Sequence, residues 1–303
     1  MDSDKVYGWL VAHPYGMKMG AKNIACRLRV DEESVRAAKV KYKRGSHVSV
    51  LPKVLLFDLE TAPMKAYVWS RWKQNVRLEQ TISESYIICW SAKWLYGDEV
   101  MSGVLTGEEA KKEDDKRIVE DLWVLINEAD IVIAHNALGA DVPWMNSRFI
   151  VHGLVPPKPY QVIDTLKESR RVFGFSSHSL DALGTYFGVG NKIDTSFELW
   201  RGCVEGDESC LAEMVRYNKQ DVKLLEEVYL RLMPWIKGHP NIGNMIQEDV
   251  CPCCGGRHVV KMEDRYYYTS VGRYQLYRCS GCGTVFRDRM GDKSFKPKAI
   301  ALR

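Results

Sequence analysis

No run in this 303-residue sequence is apolar for long enough to cross a bilayer, which takes about 20 consecutive apolar residues. No signal peptide is recognisable, no internal repeat recurs and no tract is of low complexity. Membrane-spanning, secreted and repeat architectures therefore lose their support, and an intracellular, cytoplasmic protein is expected. Charge excess is also lacking. The sequence has 43 Lys+Arg against 39 Asp+Glu, and the resulting net +4 is too small to mark a nucleic-acid binder by itself. Disulfide spacing is absent from the first two-thirds of the chain. Cys26, Cys89, Cys203 and Cys210 are scattered, as befits reduced cysteines inside a cell.

The near-neutral total conceals a division into three. Residues 1–50 hold 10 basic and 5 acidic residues, and residues 239–303 hold 11 and 6. The middle holds 22 and 28. Basic flanks attract phosphate, whereas an acidic centre suits a carboxylate site that needs divalent cations. Breaker-rich stretches from Arg44 to His47 and from Lys237 to Gly243 mark the boundaries. The expected organisation is a basic helical domain over 1–45, an α/β domain over 52–238, a cysteine-bearing domain over 249–290 and a basic, mobile tail over 291–303.

Within the middle segment, Val54 to Phe57 is an apolar run ending in Asp58 and reads as a buried strand. Asp58 and Glu60 are i and i+2, so on a strand they share one face. Further strands are expected at 86–94 and 100–105, forming an antiparallel meander with the first. A helix near 114–128 then leads to a strand at 130–135, whose end delivers His135 and Asn136. Asp141 opens another helical stretch. A long amphipathic helix from about Leu211 to Met233 puts Tyr217 and Asp221, at i and i+4, on one face. Strands followed by alternating elements predict an α/β fold, a mixed sheet flanked by helices.

D-x-E and Y-x-x-x-D are each common as solvated acids. In this order, at the ends of suitable elements, Asp58-Leu59-Glu60, Asn136 to Asp141 and Tyr217 to Asp221 resemble the three motifs of the DnaQ-like 3′–5′ exonucleases of the RNase H-like fold, in the subgroup with tyrosine in the third motif. One departure is visible: Ala140 stands where many relatives have Phe or Tyr. The resemblance implies that Asp58, Glu60, Asp141 and Asp221 bind two Mg²⁺ or Mn²⁺ ions, held about 4 Å apart by hard oxygen ligands. Tyr217 would orient the nucleophile, and in-line attack would release a nucleoside monophosphate. Asp164, in a strand followed by Thr165, resembles a supporting residue of the family. His135 is expected to pack or hydrogen-bond beside the site rather than to catalyse.

Near the C-terminus, Cys251-x-x-Cys254 and Cys279-x-x-Cys282 are separated by 24 residues and each is followed by glycine. This spacing reads as a structural Cys₄ zinc site and resembles a zinc ribbon. Buried or disulfide-bonded cysteines are the alternative. Cys253 is the spare thiol. Strand-like runs lie between the knuckles, with a turn at Val271-Gly272.

Three groups of residues are candidates for nucleic-acid contact. At the N-terminus, helices near 4–12 and 22–28 and a third capped by Asp31 resemble a helix-turn-helix, with Arg36, Lys39 and Lys43 on one face; a protein-docking cap is the alternative. The stretch 66–80 offers Tyr67, Trp69, Trp72, Lys73 and Arg77 to a single-stranded end, unless it is a helix with its aromatic face in the core. The ribbon's Tyr267 and Arg273 stand among tyrosines and arginines that serve either nucleic acid or a small core.

The expected function is a metal-dependent 3′–5′ exonuclease acting on DNA, with RNA left open because nothing reads a 2′-hydroxyl. An endonuclease or RNase on the same fold is one alternative. A nucleic-acid-binding regulatory protein with an inert core is another. No polymerase domain is recognisable, so a proofreading role would need a polymerase or replication partner. Small nucleases of this arrangement also occur in viral genomes, and nothing in the chain establishes that origin.

Overall fold

A computed structural model describes residues 2–45, 51–193, 195–270 and 272–294. Ser46 and His47 of the expected boundary, Val271 of the expected turn and residues 295–303 of the expected tail lie outside the described residues. The chain forms two compact units. One comprises Lys53–Leu95 and Glu99–Tyr229; the other comprises Met1–Pro52, Tyr96–Asp98 and Leu230–Arg303.

The second unit opens with α1 (Asp2–Ala12), α2 (Ala21–Leu28) and α3 (Glu32–Gly45). Val6, Leu10, Ile24, Val35 and Ala38 form their buried core. Arg29 ends α2 in the left-handed conformation, at φ 53°. Asp31 starts α3 by accepting from Ser34 N–H at 2.7 Å, the side-chain cap that satisfies an orphan helix donor.

In the first unit the elements run β1 (Val54–Thr61), β2 (Lys65–Ala66), β3 (Thr81–Ser83), β4 (Ile87–Trp94), β5 (Met101–Val104), α4 (Gly107–Lys112), α5 (Lys116–Glu128), β6 (Ile131–Ala134), α6 (Asp141–Val151), β7 (Gln161–Asp164), α7 (Thr165–Val172), α8 (Leu180–Phe187), α9 (Phe197–Glu205) and α10 (Glu208–Leu232). Five strands form a sheet in the order β5-β4-β1-β6-β7. β1 pairs antiparallel with β4 and parallel with β6, so the sheet is mixed. The continuous apolar run of β1 reflects burial on both faces: Val54, Leu55, Leu56 and Phe57 are all inaccessible or nearly so. α5 buries Ile118, Val119, Leu122 and Ile126 as one stripe, each contributing roughly 1.5–3 kcal/mol of burial.

Every strand expected in the core has a counterpart, and α10 matches the expected long helix to within three residues. The β2–β3 ribbon is additional. Residues 66–80 are not a helix; only Leu78–Gln80 winds, as a single 3₁₀ turn. That removes the alternative in which their aromatic face is buried on a helix.

The C-terminal part contains α11 (Ile242–Ile246), β8 (Val259–Thr269), β9 (Gly272–Cys279) and β10 (Val285–Arg287). The last three form a small antiparallel sheet in the order β10-β9-β8. β10 was not expected. Among the described residues no helix is long and apolar enough to cross a membrane.

Candidate active site

The core sheet brings the acidic motifs together. β1 carries Asp58 and Glu60 on one face, with a register shift immediately after Glu60. α10 presents Tyr217, Asn218 and Asp221 toward them. Carboxylate oxygens of Asp58, Glu60 and Asp221 lie within 4.8 Å of one another. Asn218 Nδ2 donates to Asp58 Oδ2 at 2.7 Å and fixes that carboxylate.

Asp141 stands beside this trio but not within the same 4.8 Å group. It is buried at the first position of α6, and its Oδ1 accepts from Leu59 N–H at 3.3 Å. The loop leading to it is held by Asp164, whose carboxylate accepts from Asn136 N–H at 3.2 Å, Leu138 N–H at 3.0 Å and Lys167 N–H at 3.1 Å. Asp164 thus caps α7 and clamps the loop. Asn136 enters that loop at φ 76°, a left-handed conformation that asparagine tolerates better than most residues.

His135 is neutral. Burial pushes its pKa down to about 4. Its Nε2 lies 3.0 Å from His178 O and its Nδ1 2.9 Å from Thr165 Oγ1. A carbonyl only accepts, so Nε2 carries the proton and Nδ1 accepts from the Thr165 hydroxyl. Both nitrogens are spent on the scaffold, which leaves His135 a packing and positioning role.

The electrostatics are dominated by burial of the carboxyls, with like charges adding to it. Burial first, then Asp141, Glu60 and Asp221, push the Asp58 carboxyl well above the usual range. Burial raises Glu60 and Asp141 to about 7 each. Asp221 is raised by burial and drawn back by Lys192. Four carboxyls in one buried pocket cannot all ionise without a compensating cation.

Lys192 supplies part of that compensation. Its Nζ lies 2.5 Å from Asp221 Oδ2 and donates to Tyr217 Oη at 2.9 Å. Burial works against its charge, but Asp221 and Tyr217 hold its pKa above the usual lysine value. Tyr217 is pushed up to about 12 by burial, so it stays a neutral phenol. Accepting from Lys192 leaves its own proton directed at the Asp221 carboxylate, whose pKa that hydrogen bond lowers. Trp200 meets the Tyr217 ring edge-on at 6.4 Å. Thr61, Ser196, Phe197 and Trp200 are among the residues lining an adjoining groove of about 490 Å³.

Lys192, Asn218 and Trp200 were not anticipated. Asn218 follows Tyr217 and precedes Asp221 by three, so helical spacing alone could have placed it on the same face. Lys192 lies in the irregular stretch between α8 and α9, where no periodicity points to it.

Divalent cations fit this cluster on two observations. The carboxylates are hard oxygen donors. In addition, Asn218 Oδ1 and Asp221 Oδ1 are buried without a hydrogen-bond donor, a state that otherwise carries a penalty of roughly 1–3 kcal/mol per group.

The cysteines form a separate cluster, with Cys251, Cys254, Cys279 and Cys282 converging within 4.8 Å. Sγ–Sγ separations of 3.6 Å (Cys251–Cys282) and 3.7 Å (Cys254–Cys279) exceed a disulfide bond of about 2.05 Å. They approach the edge of a thiolate tetrahedron with metal–sulfur bonds of about 2.3 Å. The two knuckles are alike. Gly255 (φ 67°) donates to Cys251 O at 3.0 Å, and Gly283 (φ 85°) donates to Cys279 O at 2.9 Å. Cys253 is outside the group.

The proposed nucleic-acid contacts fare differently from one another. Arg36 is exposed and paired with Glu32 at 3.0 Å. Lys39 points its ammonium at the carbonyls of Met17 and Met19, so it braces the helices. The side chain of Lys43 lies outside the described residues. Trp72, Lys73 and Arg77 are exposed. Tyr267 is half exposed beneath Arg287. Arg273 pairs with Asp292 at 2.9 Å and stacks on Tyr266.

Residues 78–233 match the RNase_H superfamily. The chain belongs to the RNase H superfamily. The matched span contains Asp141, Lys192, Tyr217 and Asp221, and β1 lies outside it. This RNase H superfamily chain is also 24% identical, over 153 residues, to a protein named DNA polymerase III PolC-type from Ureaplasma parvum serovar 3. That match covers 48% of the chain and 10% of the relative. A family B DNA polymerase from the hyperthermophilic archaeon Pyrobaculum calidifontis is similar at 18% identity and a TM-score of 0.45, over 61% of this chain and 25% of that one. The chain therefore spans about a tenth of the curated relative's length.

Proposed function

We propose that this protein is a metal-dependent 3′–5′ exonuclease acting on DNA. The observation that carries the proposal is the convergence of the Asp58, Glu60 and Asp221 carboxylates within 4.8 Å, with Asp141 tethered beside them. These four residues would hold two Mg²⁺ or Mn²⁺ ions. Bound there, the ions would stabilise the charge on the attacking and leaving oxygens of a phosphodiester.

The remaining work falls to the chain itself. Tyr217 would turn its phenolic proton from Asp221 to the nucleophilic water or to a phosphate oxygen. Lys192 fixes that phenol and offsets charge at Asp221. Asn218 orients Asp58, and Asp164 holds the loop that precedes Asp141, with His135 bonded behind it to Thr165 and His178. The Cys₄ cluster would hold one structural Zn²⁺. The likeness to a protein named as a DNA polymerase supports DNA as the substrate class and a replication partner as the setting. Arg36 and Arg77 remain outward-facing cations for phosphate.

End-labelled linear, 3′-blocked and circular substrates, with and without Mg²⁺ or Mn²⁺, test the proposal. Mononucleotides should appear only from free 3′ ends and only with the metal. Cleavage of circles would make the protein an endonuclease. Binding without cleavage of any substrate would leave a regulatory protein. A parallel RNA series decides the sugar.

A further inference from the structure

We infer that the segment between β2 and β3 is a stacking arm that holds the unpaired bases of a single nucleic-acid strand next to the carboxylates. The inference rests on the nuclease proposal, because it names the form of substrate delivered to that site.

The arm is built and closed by its own hydrogen bonds. β2 and β3 pair at its base. Tyr67 N–H donates to Gln80 O at 2.9 Å, and Gln80 Nε2 donates back to Tyr67 O at 3.1 Å. At the tip, Ser70 Oγ and Gln74 Nε2 both donate to Trp72 O, at 3.1 and 2.9 Å. The backbone is thus served from within while the large side chains face water. Tyr67 is 73% exposed, Trp69 96% and Trp72 81%. None of the three packs against the hydrophobic core. Apolar surface displayed on this scale marks an interaction site.

Charge identifies the occupant. With Lys65 at its base, the arm contains Arg71, Lys73 and Arg77 against a single acid, Glu79, which pairs with Arg77 at 3.7 Å. Lys65 pairs with Glu113, whereas among the described residues no carboxylate pairs with Arg71 or Lys73. A basic arm tipped with flat aromatic rings suits a polyanion that carries flat apolar faces. Unpaired bases stack on such rings whatever their sequence, while the cations take the phosphates. A paired duplex hides those faces in its own stack, so the arm favours single strands. Its position agrees. β2 begins five residues after Glu60, so the base of the arm is tied by a short stretch of chain to the strand that carries the carboxylates.

Binding by the full chain is measured without added divalent ion, using fluorescent oligo(dT) and a blunt hairpin duplex. Oligo(dT) should quench tryptophan fluorescence and bind more tightly than the hairpin. Replacing both tryptophans (Trp69→Ala with Trp72→Ala) should weaken oligo(dT) binding by roughly five- to a hundredfold, the worth of a stacked base. Hydrolysis of thymidine monophosphate p-nitrophenyl ester, which has no neighbouring nucleotides, should be unchanged in that variant. Equal binding by wild type and variant would overturn the inference. So would self-association of the wild type that the variant abolishes, because the occupant would then be a second copy. If wild type cleaves neither the ester nor any strand, yet loses binding with the tryptophans, the arm stands and the nuclease proposal falls.

Discussion

The acidic cluster and the cysteine cluster are both gatherings of metal-suited side chains, built in opposite ways. Asp58, Asp141 and Asp221 come from three elements scattered over most of the core, and they meet only because the five-stranded sheet and α10 are in place. Their oxygens are forced together against their charge, and the buried apolar core outweighs that cost. The four cysteines come from two short knuckles, each closed by its own glycine turn. The sheet between them is thin, and most of β8 is exposed. The core would therefore keep its shape without ions. The C-terminal sheet has little core of its own, so an ion bound by the four cysteines would be its main support.

The largest effect expected from this contrast is on chemistry. Asp58→Ala or Asp221→Ala should cut metal-dependent hydrolysis by at least about 10³-fold, because each removes an oxygen from a dication's shell. Asp58→Ala should not lower the metal-free melting temperature, since it relieves like-charge crowding, whereas Asp221→Ala should lower it by leaving the Lys192 ammonium without its carboxylate. Variants with near-normal rates at matched purity would show that the site is elsewhere.

Removing a cysteine should do the reverse. Native mass spectrometry of the full chain should find one tightly held zinc, lost in Cys254→Ser and in Cys282→Ser. Amide exchange should then rise over residues 249–290, because ligation is what folds a small metal site. Hydrolysis should survive. Zinc kept in both variants would bring Cys253 forward as a ligand.

The same contrast explains what was legible beforehand. The knuckles are local, so spacing alone located Cys251, Cys254, Cys279 and Cys282. β1 and α10 were legible because a buried run and a helical period are strong patterns. Asp141 was less so, since its place depends on a loop clamped by Asp164 from another strand end. Lys192 was illegible. Its stretch has no period, and its partners, Tyr217 and Asp221, lie at least 25 residues away in the chain. The 66–80 stretch was ambiguous for a related reason: composition shows aromatics but not whether they face core or water, and only the closed β2–β3 base decides it.

Lys192 and Tyr217 sharpen the comparison from inside the acidic cluster. Tyr217→Phe keeps the ring and removes the donor, and the rate should fall about 10²-fold or less, the lower range for a positioned proton donor. The Mg²⁺ midpoint should not move. Lys192→Met removes an ammonium that competes for the same carboxylate, so the midpoint should fall to lower Mg²⁺ even as the rate drops. If both variants shift the midpoint alike, Lys192 is not a charge competitor.

The smallest effect is on stability against pH. Burial raises the Glu60 carboxyl from its usual 4.5 to about 7, and Asp141 likewise to about 7. A raised carboxyl pKa means that the native fold holds its proton more tightly than the unfolded chain does. The resulting stability is present below the unfolded value and is lost as pH rises through the folded one. Without divalent ions, the melting temperature should therefore slope downward between about pH 4.5 and about pH 7 relative to Glu60→Gln, which has no proton to lose. For a unit of this size, 1 kcal/mol corresponds to roughly 2–4 °C, so a difference of a few degrees is expected. Mg²⁺ should flatten the slope by replacing the protons. The cysteine variants should leave it unchanged, because the ribbon contributes nothing to that titration. Parallel curves for wild type and Glu60→Gln across the window would mean that Glu60 is already ionised in the metal-free fold, with Lys192 alone enough to balance it.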